Sequence, residues 1–275
     1  MLGLILLTAC FALSCRRQTE TPINPHVVRC AVIGSMTTTG LWQQLAKMFE
    51  AKTGYQVEVV ATGPRPDLNA AMHAGNVDLL TMQSGDMATD LVAEGYGLDM
   101  RPWARNELCV VGPLDDPAHI RGMTNGVTAL QKIAAAKAHF VNFADIGSRD
   151  LVHTLWGLAG VEPKGYWVLQ DESVSRTNIL QYACSNDAYV VVGYIPAKVG
   201  RMPANGMEIL VNDDPVMCQP YIVMVTNPEK VPQANYAGAK SLSNFLVSPE
   251  AQKFLVQFDT TNNSPSLLFF PCSQF

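Results

Sequence analysis

The chain has 275 residues, of which 48% are hydrophobic and 16% are charged, and this composition excludes an intrinsically disordered protein. Its net charge of −5 excludes a general nucleic-acid binder, whereas a small anion site built from local donors is compatible with it. Seven cysteines without a Cys-x-x-Cys pair, and five histidines without ligand spacing to them, predict neither a disulfide framework nor a structural zinc site.

Residues 1–15 are apolar and uncharged, and the stretch is shorter than the roughly 20 apolar residues that a transmembrane helix needs. It is typical of a secretory signal, and a buried N-terminal strand or helix is the alternative. Cys10 and Cys15 each end a lipobox-like segment, and we predict lipidation at Cys15, with Cys10 as the alternative. Residues 16–26 would form a flexible tether, and the protein would be exported to the periplasm or the outer face of the cell membrane.

Strand, loop and helix alternate from residue 27 onward. Strands are predicted at 27–33, 56–61, 77–82 and 107–111, and helices at 67–74, at 86–94 and from Leu41 to the residue before Gly54. A small, hydroxyl-rich turn at 34–40 separates the first strand from the first helix. Such alternation implies an α/β architecture with mostly parallel sheets.

The strand at 107–111 is broken by 112–117, which we interpret as a crossing between domains. Helices are then predicted at 126–137, 150–159, 176–184, 234–246 and 250–258, and strands at 139–143, 188–192, 208–211 and 220–226. Two lobes joined by two crossings would enclose a cleft, the usual place for a ligand site.

Several side chains are predicted to be structural. Trp42, Trp156 and Trp167 fall on helical or apolar stripes and are expected in the core, and Cys30 and Cys109 are expected to behave as small buried hydrophobes. No disulfide is predicted. His153 is expected on a helix face, whereas Tyr194 could either line the cleft or pack.

The order of these segments, together with several short motifs, resembles the extracytoplasmic solute-binding proteins of ABC importers, and within them the tungstate-binding proteins. The motifs include Val92-Ala93-Glu94-Gly95-Tyr96-Gly97, Asp115-Asp116-Pro117-Ala118, Ser248-Pro249-Glu250-x-Gln252 and Leu268-Phe269-Phe270-Pro271. The resemblance implies a two-lobed type II periplasmic binding fold, with two mainly parallel sheets flanked by helices and two hinge crossings. Lobe I would comprise 27–110 plus 221–275, and lobe II 111–220.

The second lobe departs from the family's ligand-binding pattern. The family's Arg position aligns with Phe143, an Arg stands instead at 149, and a later Asp-Arg-Gly-Thr turn is replaced near Gly193-Tyr194-Ile195-Pro196. In the first lobe the family's Thr run is shifted to 37–39.

The candidate ligand-binding residues lie in turns that precede helices, where free backbone N–H groups and hydroxyls suit an oxyanion. They are Ser35, Thr37, Thr38, Thr39, Ser84, Ser148, Arg149, Ser175 and Arg176. Arg149 could form a bidentate pair with the anion, and the alternative is a surface arginine paired with Asp145 or Asp150. For the hydroxyl residues the alternative is ordinary helix capping.

The resemblance implies an oxyanion receptor, for tungstate or molybdate, that delivers its ligand to an ABC permease and uses no cofactor. It would act as a monomer held to the membrane by its lipid. A receptor retuned to phosphate or sulfate, and a ligand-free sensory or scaffolding lipoprotein, are the alternatives. No enzyme is predicted, because no nucleophile has an adjacent base with an orienting acid, and Ser148 with His153 lacks that acid.

Overall fold

The computed structural model describes residues 24–143, 148–171, 174–199, 202, 206–261 and 267–272. Within these ranges no helix combines the length and the apolar character needed to cross a membrane. The predicted signal, Cys10 and Cys15 lie outside the described residues. Residues 24–26 are hydrogen-bonded to the body, since the carbonyls of Pro25 and His26 accept from Asn235 Nδ2 and the Gln56 N–H. A tether would therefore end before Asn24.

Strands and helices alternate through the first half of the chain. In order they are β1 (Val27–Ile33), α1 (Gly34–Thr38), α2 (Leu41–Thr53), β2 (Gln56–Gly63), α3 (Arg65–His73), β3 (Leu79–Gln83), α4 (Asp86–Ala93) and β4 (Gly97–Pro113).

The second half continues the alternation and ends in two helices and a short strand. In order the elements are α5 (Gly126–Ala136), β5 (Phe140–Asn142), α6 (Arg149–Ala159), β6 (Val168–Gln170), α7 (Ile179–Ser185), β7 (Tyr189–Gly193), α8 (Tyr194–Lys198), β8 (Met207–Val211), β9 (Cys218–Thr226), α9 (Tyr236–Leu246), α10 (Pro249–Thr261) and β10 (Phe270–Pro271). Short 3₁₀ turns occupy Arg176–Asn178 and Pro215–Met217.

The predicted α/β fold is confirmed, and its sheets are joined edge to edge in the order β2-β1-β3-β9-β4-β7-β5-β6, with β8 and β10 also on β4. The outer strands pair in parallel, β1 with β2 and β3, and β5 with β6 and β7. Among the described strands, each antiparallel pair involves β4 or β9, the strands that carry the chain between the two halves.

Strand β4 is much longer than the predicted 107–111. Its first part carries charged residues and Pro102, a pattern that does not favour a buried strand, and antiparallel pairing with β9 compensates for it. Up to Glu107 the strand pairs with β9, and from Leu108 onward it pairs with β7 and β8. The change of partner lies between Glu107 and Leu108, and the lobe boundary at 110/111 stays a prediction.

The core contains the side chains that the sequence assigned to it. Trp42 is 1% exposed, and Trp156 packs edge-on against both Phe140 and Trp167, with ring centroids 5.0 and 6.0 Å away. Cys30 and Cys109 are fully buried, and burial raises the pKa of each thiol above its ordinary value. These thiols therefore behave as small apolar side chains at neutral pH.

Candidate functional site

A cleft of about 500 Å³ opens where the carboxyl ends of several strands meet. Strands β1, β2 and β3 are mutually parallel, and they deliver Ile33, Gly63 and Gln83 to one side of it. Strand β7 delivers Gly193 to the other side. Between them, β4 and β9 form a shared floor that connects the two halves. Such a position is the usual ligand site of open α/β sheets.

Arg65 is the charged residue among those described that line the cleft, and it was not among the predicted site residues. It begins α3 directly after Pro64, and its side chain is 5% exposed. Its Nη1 donates to the Ser84 carbonyl at 3.2 Å and lies 4.0 Å from the exposed carboxylate of Asp86. A guanidinium held in this way offers donors and charge to an anion in the cleft.

Two buried amide side chains add polar groups to the cleft. Asn106 is 4% exposed and Gln83 9% exposed. Within the described part of the chain, Asn106 Oδ1 and Gln83 Oε1 have no hydrogen-bond partner. Buried amides are nearly always hydrogen-bonded, so each of these oxygens is available to accept a hydrogen bond from a donor on a ligand. Gln219, which pairs with Asn106 across β4 and β9, lines the same floor.

The predicted hydroxyl run of the first lobe divides between the cleft and the body. Ser35 and Thr38 line the cleft, and Ser35 Oγ lies 2.8 Å from the Tyr221 hydroxyl. Thr37 Oγ1 instead donates to the Gly34 carbonyl and meets Thr62 Oγ1 at 2.9 Å. Thr39 Oγ1 donates to the Ser35 carbonyl at 2.9 Å. The segment is one helical turn, α1, rather than an open turn, so its hydroxyls point in different directions.

Ser84 is not among the residues that line the cleft. Its N–H donates to the Pro220 carbonyl at 2.9 Å, and its own carbonyl accepts from Arg65. The predicted turn at 83–85 thus contributes in two other ways, through the Gln83 side chain and through the backbone that orients Arg65.

In the second half, Ser148 lines the cleft, is 2% exposed and precedes α6. Arg149 does not line it: its side chain is 55% exposed and Nε lies 3.7 Å from Asp150 Oδ1, because the first turn of α6 directs it outward. Ser175 is exposed with its Oγ 3.1 Å from Thr177 Oγ1, and Thr177 lines the cleft. Asp145 and the side chain of Arg176 lie outside the described residues.

Apolar side chains form much of the remaining surface on the second side. We define the apolar wall as Leu108, Ile195, Pro196, Val199 and Met202. Tyr194, which the sequence left open between cleft and packing, is 2% exposed and is not among the residues that line the cleft. His153 is exposed on α6, as predicted.

Glu107 is fully buried beside the floor of the cleft, at the point where β4 changes partner. Its Oε2 accepts from the Asp213 N–H at 2.8 Å, and Oε1 has no partner in the described part of the chain. Burial raises the pKa of Glu107 to about 7, and the charges of Asp213 and Asp214 act in the same direction. The carboxyl is therefore partly protonated near neutral pH.

A family model for bacterial extracellular solute-binding proteins matches residues 30–258. The chain belongs to this family. A Haloferax volcanii protein with the provisional name ABC transporter anion-binding protein is 31% identical over 249 residues, which are 88% of this chain and 70% of that protein. The tungstate-binding protein TupA of Peptoclostridium acidaminophilum is 27% identical over 269 residues, 94% of this chain and 91% of that protein.

Among solved structures, the tungstate-binding protein TupA of Desulfovibrio alaskensis G20 superposes with a TM-score of 0.73 at 27% identity, covering 89% of this chain and 98% of that one. The predicted resemblance to the tungstate-binding proteins and the fold that it implies are confirmed. Members of the family are solute-binding proteins rather than enzymes.

Arg65, Asn106 and Gln219 line the cleft but are absent from the sequence-based prediction, and a local sequence signal marks only Arg65. Arg65 follows the end of a strand and begins a helix, so the reasoning that selected Ser35 and Ser84 applies to it as well. Asn106 and Gln219 lie inside strands, and no local signal marks them, because only the pairing of β4 with β9 brings them together.

Proposed function

We propose that the protein is the anion-binding component of an ABC importer and delivers its ligand to a membrane permease. The observation that carries this proposal is the buried Arg65 in a cleft that both halves of the molecule line. The printed names of the similar proteins support it, since one is an ABC transporter anion-binding protein and another a tungstate-binding protein.

Ligand capture would begin on the first side of the cleft, where Arg65 and Ser35 supply donors to the anion. Ser148 on the second side would complete the shell as the lobes close about the β4 and β9 crossings. Closure removes the anion from water, so each of its oxygens requires a donor, and an unmatched buried charge would be costly.

The finer assignment is a tungstate- or molybdate-like oxyanion, taken up by an exported, lipid-anchored monomer. Phosphate or sulfate is the alternative ligand. It would require different contacts from those of the tungstate-binding proteins, and the sequence differs from their ligand-binding pattern at Phe143 and in α8.

A thermal-shift screen of the purified protein with tungstate, molybdate, sulfate and phosphate tests the proposal. A ligand that binds the native state raises the melting temperature, and saturation at 100 times Kd adds about 2.7 kcal/mol to the free energy of unfolding. Failure of every anion in the screen would exclude an oxyanion receptor and favour the scaffolding alternative.

Two arginine variants test which cation binds the anion. We expect Arg65→Gln to weaken binding of the anion with the largest shift at least tenfold, because a charge-assisted hydrogen bond contributes roughly 1.5–3 kcal/mol. Arg149→Gln is the matched control, since it removes the same charge from a 55% exposed side chain outside the cleft lining. Isothermal calorimetry measures both, and a loss confined to Arg149→Gln would restore the assignment made from the sequence.

A further inference from the structure

A contact between two hydroxyls joins the interior of the sheet to the cleft. Tyr221 is fully buried on β9, and its hydroxyl oxygen lies 2.8 Å from Ser35 Oγ. Ser35 lines the cleft, whereas Tyr221 is not among the described residues that line it. Contact with a ligand therefore falls to the serine, and the tyrosine can act on the ligand through that serine.

The tyrosine side chain is held firmly in the sheet. On β9, Tyr221 pairs with Gln83 of β3 on one side and with Ala104 of β4 on the other. Its ring packs against Phe269, and the two ring centroids are 6.0 Å apart. A close-packed ring with two side-chain torsions keeps its hydroxyl at one position. Ser35 therefore has a fixed partner.

The chemistry of the two hydroxyls decides which of them donates. Each can donate or accept, but a phenol is a stronger acid than an alkyl alcohol and is the better donor. The Tyr221 O–H therefore donates to Ser35 Oγ. In the described part of the chain Ser35 Oγ has no other hydrogen-bond partner, so its own O–H is left to donate into the cleft. An oxyanion, whose oxygens accept hydrogen bonds, suits that donor.

This arrangement distinguishes Ser35 from the two threonines that follow it in the hydroxyl run. Thr37 Oγ1 donates to the Gly34 carbonyl, and Thr39 Oγ1 donates to the Ser35 carbonyl. Their protons are used by the backbone of α1, whereas the Ser35 proton is directed by a side chain from another element.

We propose that Tyr221 is a positioning residue for anion binding, which donates to Ser35 Oγ and so directs the Ser35 O–H at the anion. The proposal rests on the proposed function, because it names the residue that orients one donor of the same cleft. Its effect on affinity follows from the torsions that it fixes, since apparent affinity falls with the fraction of molecules in the competent orientation.

A double-mutant cycle tests the proposal, with calorimetry of the purified protein and the anion of the screen that gives the largest thermal shift. Tyr221→Phe keeps the ring and removes the hydroxyl. We expect it to weaken binding about threefold if one Ser35 torsion gains three staggered positions, and about ninefold if two do. Ser35→Ala should weaken binding at least tenfold, because it removes a hydrogen bond to a charged group.

The decisive measurement is the effect of Tyr221→Phe when Ser35 is already alanine. We expect a change of less than about twofold, because no serine hydroxyl remains to be oriented. Additive losses of affinity in the double variant would overturn the proposal, since Tyr221 would then act on the anion by another route. A loss in Tyr221→Phe without one in Ser35→Ala would overturn it as well.

Tyr189→Phe is the matched control for the loss of a buried tyrosine hydroxyl. Tyr189 is also fully buried, its hydroxyl donates to Asp116 Oδ1 at 2.7 Å, and it is not among the described residues that line the cleft. We expect this variant to lower the melting temperature while its anion affinity stays within about twofold of wild type. The same pattern in Tyr221→Phe would show that Tyr221 is only structural and would overturn the proposal.

The wild-type protein, measured in parallel, separates this inference from the proposed function. Anion binding that is equally tight in wild type and Tyr221→Phe would overturn the inference and retain the receptor. Absence of anion binding by wild type would overturn both.

Discussion

Gly85 makes room for the guanidinium of Arg65. Its φ is 147°, a conformation that side-chain-bearing residues rarely adopt, and a Cβ built there would lie 2.4 Å from Arg65 Nη1. The glycine therefore allows the arginine to approach the Ser84 carbonyl and to remain directed along the cleft.

We predict that Gly85→Ala displaces the guanidinium and weakens anion binding about tenfold without removing the charge. Gly54→Ala is the control, because Gly54 also has a positive φ, 77°, but no atom within 4 Å of the added Cβ. Calorimetry with the tightest-binding anion of the panel compares the two. Equal affinity of both variants would contradict the role assigned to Gly85.

Part of the site could be predicted at the level of single residues. Ser35, Thr38 and Ser148 were selected because they precede or occupy helix starts after strands, and the structure places all three on the cleft. Whether they bind the ligand stays a prediction. Thr37 and Thr39 satisfied the same rule but bond to α1 and β2 instead, because one helical turn directs successive hydroxyls to different sides.

At the scale of elements, Asp78 connects β1, β3 and the start of α9. It is fully buried, and its carboxylate accepts from Arg29 Nη2 at 2.6 Å, from Arg29 Nε at 3.1 Å and from the backbone N–H of Asn235 at 2.8 Å. The ion pair of Asp78 with Arg29 holds together segments that are far apart in sequence and that carry the first side of the cleft.

We predict that Asp78→Asn lowers the free energy of unfolding by about 3 kcal/mol, since removing one partner leaves the other charge poorly compensated. The control is Glu250→Gln, which breaks an exposed pair with Lys52 at 2.5 Å and should cost less than about 1 kcal/mol. Urea denaturation at pH 7 measures both. Similar losses of unfolding free energy in the two variants would show that the buried Asp78 pair stabilises the fold no more than an exposed pair does.

At the scale of the whole molecule, Glu107 lies where the two halves of the sheet meet. Its pKa of about 7 exceeds the ordinary value of 4.5, so the native state binds more protons than the unfolded state between these two values. Stability must then fall as pH rises through that window and change no further above it.

We predict that the free energy of unfolding falls by roughly 3 kcal/mol between pH 4.5 and pH 8 because of the raised pKa of Glu107. Glu107→Gln should remove that loss and stabilise the protein at pH 8, because the amide oxygen can still accept from the Asp213 N–H. Thermal melts across pH compare it with Glu58→Gln, which changes an exposed glutamate on β2. A pH profile unaltered by Glu107→Gln would contradict this account.

The sequence by itself determined the alternation of elements and the family. Apolar runs such as β1 and amphipathic helices such as α2 are local patterns, and their bounds follow from neighbours in the chain. The segment between β1 and α2 was located for the same reason, but it forms the helical turn α1 rather than the predicted open turn.

Only the tertiary structure decided what lines the cleft. Asn106 faces it because β4 pairs with β9 opposite Gln219, and Arg65 enters it because Gly85 leaves space beside β3. The apolar wall arises because α8, Val199 and Met202, which follow β7, line the same cleft as the floor that β4 forms. These contacts join residues that are distant in sequence, and a local sequence pattern does not predict which distant residues will meet.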